Sequence, residues 1–527
     1  MNKFYKLVLA AQLISIAAVS QTKTITISEQ AEVQPKANYQ LAAKFSPTKI
    51  RKMVHSTSVD PHWLKLSHRF WYQYETPSGK QWYIVDPALK SKRTLFDPVK
   101  LAAEITTIVQ DPFDAQHLPI EELKFSKDEK SITFELKSTV DELKPDRKDK
   151  KAADSLQKKI FSFNYDLTTQ KLTQIENYQR PKAKPRWGSV APDSSAIIFS
   201  RNYNLYWMDK ENYKKAVKNE DDSTIVENQL TKDGIKYYSY GSGDSGYGED
   251  NETYEKNQKK RRGANVVWSP DSRYFILNRS DDRKVKDLWV LNSIAEPRPT
   301  LETYKYWMPG EKEAPMDHLM IVDMITFSYK EIDVSLFKDQ DVAVWNKTAN
   351  VNARDDEHRP NIWLGTNDQL YLARTSRDLK KIDQCIVDIN TGVVKTLIEE
   401  SLNTYVEIKK PGLVKNGEEI IEWSERDGWA HLYLHDKEGK VKNQITQGPW
   451  HIEDVVSIDE DKRVVYFSAN GRENVNNNTK EDPYYLHLYK VNFDGTGLQL
   501  LNPGNFDNNF SMNDKKNYFV NNSSIVH

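Results

Sequence analysis

The sequence has one cysteine, Cys385, among its 527 residues. A single thiol excludes a disulfide within the chain and any zinc site built from several cysteines. The chain also lacks an excess of either charge, because 75 Lys and Arg side chains stand against 76 Asp and Glu side chains. A surface that binds nucleic acid or an anionic membrane needs a basic excess. We therefore expect neither as the main partner.

Sequence motifs that carry catalysis or bind metals are also missing. Gly-x-Ser-x-Gly, which exposes the serine of an α/β-hydrolase on a strained turn, does not occur, and neither does His-Glu-x-x-His. Gly243-Asp244-Ser245-Gly246 is similar to the nucleophile segment of chymotrypsin-like peptidases, but Tyr247 replaces the glycine that should follow. His431 and His435 fall on one predicted strand, and we interpret them as surface or half-buried residues. The sequence thus predicts no catalytic residue, no metal site and no cofactor.

No apolar run is long enough to span a bilayer. The most apolar stretch, residues 7–19, follows two lysines and leads to Ala18-Val19-Ser20, which offers small residues for a cut before Gln21. That order is typical of a secretory signal peptide. It predicts a signal over residues 1–20 and an exported, periplasmic or extracellular protein without a membrane span. A buried first strand or helix is the alternative.

A strand, a tight turn and a second strand recur along the chain. In the clearest copy, Ser269-Pro270-Asp271-Ser272 is the turn, with proline and Asx chemistry that favour it, and Tyr274 to Leu277 is an apolar strand. Weaker copies place strands at 131–134, 197–200, 370–373, 432–436, 464–467 and 518–520. One hairpin cannot bury its own apolar face, so repeated hairpins indicate a β-propeller. Trp268, Trp363 and Trp423 recur at one position of the unit and are predicted to pack in the core.

Two short helices are expected before and within the first repeats. Residues 29–53 predict a helical segment in which Asn38 is a candidate N-cap. Asp97 followed by Pro98 predicts the start of a second helix, whose apolar stripe includes Leu101 and Ile105. The fold class predicted is all-β, an eight-bladed β-propeller preceded by a short N-terminal helical segment.

These features resemble the N-terminal propeller region of the dipeptidyl peptidase IV branch of the prolyl oligopeptidase family. The most specific stretches are Asp60-Pro61-His62-Trp63, Trp268-Ser269-Pro270-Asp271 and the proline-rich run from Glu296 to Tyr306, which is similar to bacterial exported members. The resemblance implies a signal peptide at 1–20, a helical segment at 21–60, a propeller at 61–505 and, at 506–527, the start of a link to an α/β-hydrolase domain. That domain, with the catalytic Ser, Asp and His, is expected to be absent from this chain.

In this family the propeller screens access to the active site and helps to bind the substrate. The resemblance therefore implies the substrate-gating and binding propeller of a serine peptidase, inactive alone, with a peptide substrate or a separately encoded hydrolase domain as partner. A homodimer is compatible with this interpretation. The alternative is a free-standing periplasmic propeller, TolB-like, that binds peptide or glycan or scaffolds an envelope complex.

The family also implies where the substrate would bind. Its loop of the form Asn-Gly-Val-Pro-Asp-Trp-Val-Tyr-Glu-Glu holds the substrate's N-terminal ammonium with paired carboxylates. The matching run here starts at Asp233, and Gly241 and Ser242 stand where the acids belong. The dipeptide-releasing specificity is therefore in doubt. The candidate substrate-binding residues of this loop are Tyr240, Asp244, Glu249 and Asp250.

Overall fold

A computed structural model of the chain describes residues 38–50, 53–144, 156–242, 250–347, 360–407, 409–477 and 481–525. The chain forms two compact units. One contains residues Met1–Thr57 and Tyr74–Ser78, and the other contains Ser58–Gln73 and Gly79–His527. The predicted signal peptide lies outside the described residues. Among the residues that are described, no helix is long and apolar enough to cross a membrane.

The smaller unit contains two short helices, α1 (Tyr39–Lys44) and α2 (Pro47–Ile50). The side chain of Asn38 accepts a hydrogen bond of 2.9 Å from the amide of Leu41, which confirms the predicted N-cap. The helical segment is split because Pro47 has no N–H to continue α1 and instead begins α2. Neither helix has a buried residue.

The larger unit is a β-propeller, in which antiparallel sheets called blades follow one another along the chain. Each of the first three blades consists of four consecutive strands. Blade 1 contains β1 (His62–Trp63), β2 (Phe70–Thr76), β3 (Gly79–Asp86) and β4 (Ser91–Thr94), and blade 2 contains β5 (Ile120–Phe125), β6 (Ser131–Leu143), β7 (Leu156–Asp166) and β8 (Leu172–Ile175). Blade 3 contains β9 (Ser189–Val190), β10 (Ala196–Arg201), β11 (Asn204–Asp209) and β12 (Asn228–Gln229).

Blade 4 consists of four strands, and a separate hairpin is inserted between its second and third strands. The strands of this region are β13 (Val267–Trp268), β14 (Tyr274–Asp281), the hairpin β15 (Asp287–Asn292) and β16 (Thr300–Lys305), then β17 (Met316–Asp323) and β18 (Ser328–Ile332). The turn from β13 to β14 forms as predicted: Ser272 N donates to the carbonyl of Ser269 at 3.1 Å, and Ser269 Oγ donates to Asp271 at 2.7 Å.

The remaining blades complete the propeller. Blade 5 and the short link beside it contain β19 (Asp341–Val344), β20 (Asn346–Lys347), β21 (Ile362–Trp363), β22 (Gln369–Thr375), β23 (Lys381–Asp388) and β24 (Val394–Ser401). Blade 6 contains β25 (Gly412–Val414), β26 (Glu419–Ser424), β27 (His431–Asp436) and β28 (Val441–Gln444). Blade 7 contains β29 (His451–Asp459), β30 (Val464–Asn470), β31 (His487–Asn492) and β32 (Gln499–Leu500). Strand β21 pairs in parallel with β13, and β20 pairs with β21, so these two strands extend the blade 4 sheet.

A two-stranded sheet of β33 (Asp507–Met512) and β34 (Phe519–Ser524) follows blade 7. It contacts the beginning of blade 1. Asn522 accepts from Val59 N at 2.8 Å and donates to Val59 O at 2.9 Å, and Trp63 Nε1 donates to Ser511 Oγ at 3.2 Å. These bonds join segments about 450 residues apart and close the order of sheets into a ring.

The count of blades differs from the prediction. Eight blades were expected, whereas the described residues form seven blades, of which six are four-stranded sheets and blade 4 is part of a six-stranded sheet; the hairpin β15–β16 and the sheet of β33 and β34 are two-stranded. The difference lies in the last sheet, where β33 and β34 pair only with each other. The fold class, an all-β propeller, is confirmed.

Packing between consecutive blades makes the core. One cluster joins Trp423 and Leu432 of blade 6 to Val465 and Phe467 of blade 7, and equivalent clusters join blades 1 and 2, 3 and 4, and 4 and 5. Both faces of the central strands are therefore covered, and β27 and β22 are buried along almost their whole length. Because burial of apolar area drives folding, this stacking is the main source of stability. Trp268, Trp363 and Trp423 are buried, as predicted.

The two histidines of β27 differ from the sequence interpretation. His431 and His435 are buried rather than exposed or half-buried. His431 Nε2 lies 2.8 Å from the carbonyl of Gly448, and His435 Nδ1 lies 2.9 Å from the carbonyl of Gly439. A backbone carbonyl thus contacts one nitrogen of each ring, while Thr446 Oγ1 lies 3.1 Å from His431 Nδ1 and the Glu422 carboxylate lies 3.0 Å from His435 Nε2, so polar groups surround both buried histidines.

In the described part of the larger unit, four α-helices lie between strands: α3 (Pro98–Val109), α4 (Lys210–Lys218), α5 (Asn251–Gln258) and α6 (Arg472–Asn477). Helix α3 begins as predicted, because the side chain of Asp97 accepts hydrogen bonds from the amides of Val99 and Lys100. Leu101 and Ile105 are buried against blades 1 and 2. Helix α5 stands in the long connection from blade 3 to blade 4.

Candidate functional site

The candidate site is the segment from Asp233 to Ser242, which follows β12 and leads toward α5. It packs on blade 4 around one buried cation, Arg279 of β14. Only 1% of the Arg279 side chain is exposed. Lys and Arg are rarely buried this fully unless they are paired, so the contacts of Arg279 define how the segment is held.

The guanidinium of Arg279 donates to both the side chains and the backbone of the segment. Nη1 donates to Asp233 Oδ2 at 2.6 Å and to the hydroxyl of Tyr240 at 3.1 Å. Nη2 donates to the carbonyls of Asp233 and Tyr238 at 3.0 and 2.9 Å. The guanidinium carbon lies 3.4 Å from the ring centroid of Tyr238 and 4.0 Å from that of Tyr240. A planar cation between two aromatic rings is a stable arrangement that lysine would not reproduce.

Asp233 is the member of this cluster whose side chain is exposed to solvent. Its Oδ1 accepts hydrogen bonds from the hydroxyls of Tyr240 and Tyr329 at 3.0 and 3.1 Å, yet 49% of its side chain is exposed. Burial tends to raise the pKa of Asp233, but the hydrogen bond and charge of Arg279 and the hydroxyl of Tyr240 outweigh it and lower the pKa below its usual value. The carboxylate is therefore ionised near neutral pH, with half of its surface open to a ligand.

The backbone of the segment is constrained at its turn. Tyr237 has a φ of 63°, a left-handed conformation that bulky residues seldom adopt. The amide of Asp282 donates to its carbonyl at 2.9 Å, and Ile235 and Tyr238 exchange two backbone hydrogen bonds of 3.0 and 3.2 Å. A Cβ atom at position 234 would lie 2.1 Å from the carbonyl oxygen of Tyr203, so the close approach there requires glycine. Strain held in this way is frequent at binding sites.

Helix α5 adds a second carboxylate. Glu255 accepts from Lys236 Nζ at 2.6 Å and from the hydroxyl of Tyr203 at 3.3 Å, while 50% of its side chain is exposed. The Lys236 hydrogen bond and charge hold the pKa of Glu255 below its usual range. Asp233 and Glu255 are thus two half-exposed carboxylates, the first paired with the buried Arg279 and the second with Lys236, which is 41% exposed.

The site residues predicted from the sequence have different surroundings in the structure. Tyr240 is buried, and its hydroxyl supports Asp233 rather than facing solvent. Burial raises the pKa of this hydroxyl, so Tyr240 is a neutral donor. Asp250 is the N-cap of α5 and accepts from the amide of Thr253 at 2.8 Å, and these hydrogen bonds lower its pKa. Asp244 and Glu249 lie outside the described residues.

Sequence reasoning missed Asp233, Arg279 and Glu255. A signal for Arg279 was present, because strand alternation places it on the face of Phe275 and Leu277, where an arginine is out of place. A signal for Glu255 was also present, since Tyr254-Glu255 repeats the Tyr-Glu order of the family loop further along the chain. No local sequence pattern marks Asp233, because its partner Arg279 is 46 positions further along the chain.

Cavities also occur among the described residues of the blades. A cavity of about 190 Å³ lies in blade 2, but its charged groups bind one another: Glu135 accepts from both Tyr178 and Arg180. A second cavity, of about 230 Å³, lies between blades 4 and 5 beside Tyr329. Among the described residues, no group of three His, Cys, Asp or Glu side chains is placed to hold a metal ion.

Comparison with known proteins identifies relatives of the greater part of the chain. The family model "Dipeptidyl peptidase IV (DPP IV) N-terminal region" matches residues 148–526. A probable dipeptidyl-aminopeptidase B of Fusarium vanettenii is 27% identical over 371 residues, which are 64% of this chain and 35% of the relative. A probable dipeptidyl-aminopeptidase B of Aspergillus niger is 26% identical over 373 residues, 66% of this chain and 37% of the relative. The chain therefore matches about a third of the length of these curated relatives.

Solved structures show the same fold at low identity. Dipeptidyl peptidase 4 of Porphyromonas gingivalis superposes with a TM-score of 0.52 and 17% identity, covering 93% of this chain and 58% of that protein. A putative dipeptidyl aminopeptidase IV of Bacteroides ovatus gives a TM-score of 0.51 and 13% identity, covering 88% and 57%. At these identities the superpositions establish the architecture, and the site must be argued from its own residues.

Proposed function

The chain belongs to the family of the dipeptidyl peptidase IV N-terminal region, and from this premise we propose that it is the substrate-gating and peptide-binding propeller of a dipeptidyl peptidase IV-like serine peptidase. The observation that carries the proposal is the segment held on Arg279, which leaves the carboxylate of Asp233 half open. A fixed, ionised carboxylate is the chemistry needed to receive the N-terminal ammonium of a peptide.

The binding set we propose replaces the acids that the family loop would have at Gly241 and Ser242. Asp233 and Glu255 supply carboxylates, and each is paired with a cation that lowers its pKa while about half of the carboxylate side chain stays exposed. Tyr240 fixes the direction of Asp233. Asp244, Glu249 and Asp250 remain in the proposed set as acids of the same connection.

We propose that a hydrolase domain outside this propeller carries out catalysis. The triad of this family belongs to an α/β-hydrolase domain, so the chain alone is inactive in this proposal, and the hydrolase is supplied as another segment or another chain. Exposed apolar side chains of the N-terminal unit, Tyr39, Phe45 and Met53, offer a surface for such a domain. The sheet of β33 and β34 is then the first half of an eighth blade.

Location and partners follow from the same proposal. We place the protein in the periplasm or outside the cell, directed there by residues 1–20, with a peptide as substrate. The alternative, a free-standing propeller that binds peptide or glycan, is favoured by one observation: the paired hydrogen bonds between Val59 and Asn522 close the ring without another domain.

Peptide binding tests the proposal. A fluorescent tripeptide with proline at its second position is titrated against the purified chain, once with a free N-terminus and once acetylated. A charge-assisted hydrogen bond contributes about 1.5–3 kcal/mol, so acetylation should weaken binding by roughly ten- to a hundredfold. Asp233→Asn should weaken the free peptide to a similar degree and leave the acetylated one unchanged.

A matched control separates the site from general charge effects. Glu438→Gln removes an exposed carboxylate that pairs with Lys395 far along the chain, and it should bind like wild type. Equal affinity of free and acetylated peptides would contradict ammonium recognition. Binding of a neutral oligosaccharide without binding of either peptide would favour the free-standing alternative.

A further inference from the structure

The hairpin of β15 and β16 contacts both parts of the candidate site. It is inserted between β14 and β17, and among the described strands its two members pair only with each other. The outer edge of such a sheet has backbone N–H and C=O groups that need partners. Asn251, the first residue of α5, supplies them at Thr303 of β16. Its side-chain amide donates to the carbonyl of Thr303 at 2.9 Å and accepts from the amide of Thr303 at 3.2 Å.

The hairpin also binds the backbone of the helix. Glu302 Oε2 accepts from the amide of Asn251 at 2.8 Å, and Thr300 Oγ1 donates to the other carboxylate oxygen of Glu302. The first amides of a helix have no acceptor within the helix, and its N-terminus attracts negative charge. A carboxylate from β16 therefore suits this position. The first turn of α5 is thus joined to the hairpin through both its backbone and its side chain.

The base of the hairpin reaches the candidate segment. Asp287 and Lys305 lie opposite each other there, with Lys305 Nζ 3.1 Å from Asp287 Oδ1. The Lys305 side chain is largely buried, and its Nζ lies 4.9 Å from the ring centroid of Tyr237. Tyr237 is the residue with the left-handed backbone in the turn of the segment. One hairpin therefore contacts both the helix that carries Glu255 and the segment that begins at Asp233.

Helix α5 is short, so the attachment of its first turn affects where Glu255 lies. Its eight residues make little more than two turns, and Asn251 and Glu255, four positions apart, lie on one side of it. The far end is held to blade 3, because the amide of Asn202 donates to the carbonyl of Gln258 at 2.7 Å. Release of the first turn would let the helix pivot about that attachment. The hydrogen bond from Lys236 would follow the movement, since the lysine side chain is exposed and flexible.

We propose that Glu302 and Asn251 are positioning residues of the peptide site. Through them the hairpin holds α5 so that Glu255 takes part with Asp233 in binding the N-terminal ammonium of the peptide. Neither positioning residue touches the peptide, because each acts through the helix. The inference rests on the proposed function for its ligand, whereas the attachment of α5 to the hairpin can be measured without any ligand.

Peptide binding tests the effect on the site. The fluorescent tripeptide, free and acetylated at its N-terminus, is titrated against wild type and Glu302→Ala. A hydrogen bond to a charged group changes an equilibrium by roughly tenfold, so Glu302→Ala should weaken the free peptide by up to about tenfold and leave the acetylated one unchanged. Glu302→Gln keeps an oxygen that can accept from the amide of Asn251, and it should restore most of the affinity. A general loss of folding would weaken both peptides alike.

Hydrogen exchange of the purified chain tests the attachment itself. Fragments that cover α5 are followed by mass spectrometry in the same variants. The amides of α5 should exchange up to about tenfold faster in Glu302→Ala, because the first turn loses its partner, and Glu302→Gln should stay close to wild type. Glu313→Ala changes an exposed carboxylate between β16 and β17 and should match wild type in both experiments. Asn251→Ala serves if Glu302→Ala does not fold.

The outcomes separate this inference from the proposed function. Equal affinity of the wild type for free and acetylated peptides would refute ammonium binding and the role given to Glu255, whereas faster exchange of α5 in Glu302→Ala would still show the attachment. Unchanged exchange of α5 in both Glu302→Ala and Asn251→Ala would overturn the inference. An equal loss of affinity for both peptides in these variants would also overturn it.

Discussion

Replacing Arg279 with methionine removes the buried cation around which the candidate segment is built. Methionine is similar in length and can keep contact with the rings of Tyr238 and Tyr240, so the change removes charge and donors more than volume. The carbonyls of Asp233 and Tyr238 lose their donor, and the Asp233 carboxylate loses its charged partner.

The structure sets the expected size of the effect. A group that loses its hydrogen-bond partner in a buried place costs about 1–3 kcal/mol, and a cation between aromatic rings contributes about 0.5–2 kcal/mol. Asp233 is half exposed and regains water, so its share is small. We expect Arg279→Met to lower the free energy of unfolding by about 2–4 kcal/mol, well above the effect of an ordinary surface substitution.

Urea denaturation followed by circular dichroism measures this loss, and trypsin reports the segment directly. Lys232 and Lys236 are cleavage sites in or next to the segment, and both should be cut faster once it is released. Arg273→Met is the matched control, because Arg273, which precedes β14, is 44% exposed and pairs with Asp323 away from the segment. Such a pair contributes about 0–1 kcal/mol. If both variants lost the same stability and Lys232 and Lys236 stayed protected, Arg279 would not organise the segment.

Ring closure and one surface cluster give two more predictions. Asn522→Ala removes both hydrogen bonds to Val59 and should lower the free energy of unfolding by about 1–2 kcal/mol, with faster hydrogen exchange at Val59. Asn509→Ala, at an exposed position of the same sheet, is the control. Equal hydrogen exchange at Val59 in both variants would argue against a role of Asn522 in closing the ring. Hydrogen bonds from Arg463 and Lys442 hold the pKa of Glu419 at about 2, so its contribution is present above pH 4.5 and is lost as the pH falls toward 2. Glu419→Gln should therefore destabilise by about 1–2 kcal/mol at pH 7 and much less at pH 2.5 in urea titrations, and a loss that is independent of pH would contradict this account.

Much of the fold could be predicted because its signals are local. The Ser269-Pro270-Asp271-Ser272 turn, the Asp97 cap and the repeated tryptophans depend on residues within one hairpin or one helix turn. The number of blades could not be predicted in the same way. It depends on how β33 and β34 pair, and strand pairing between distant segments leaves no mark in either segment alone.

The site was harder to predict because its contacts are long-range. The sequence pointed to the connection between blades 3 and 4 and to Tyr240, but the contacts of Tyr240 depend on Asp233 and Arg279, which are brought together only by the packing of blade 4. His431 and His435 show the same limit. Their ring nitrogens contact the carbonyls of Gly448 and Gly439 and also Thr446 and Glu422, so residues that look exposed in the sequence are buried in the structure.

The measurement that tests the central claim most directly is hydrolysis of a chromogenic Xaa-Pro dipeptide anilide by the purified chain, alone and mixed with a separately encoded hydrolase chain. The account predicts no turnover by the propeller alone and turnover after mixing, with rejection of the N-acetylated substrate and slower turnover with Asp233→Asn. Turnover by the chain alone would contradict the proposal that a separate hydrolase domain carries out catalysis. A mixed enzyme that cleaves free and acetylated substrates equally well would contradict the gating role assigned to this propeller.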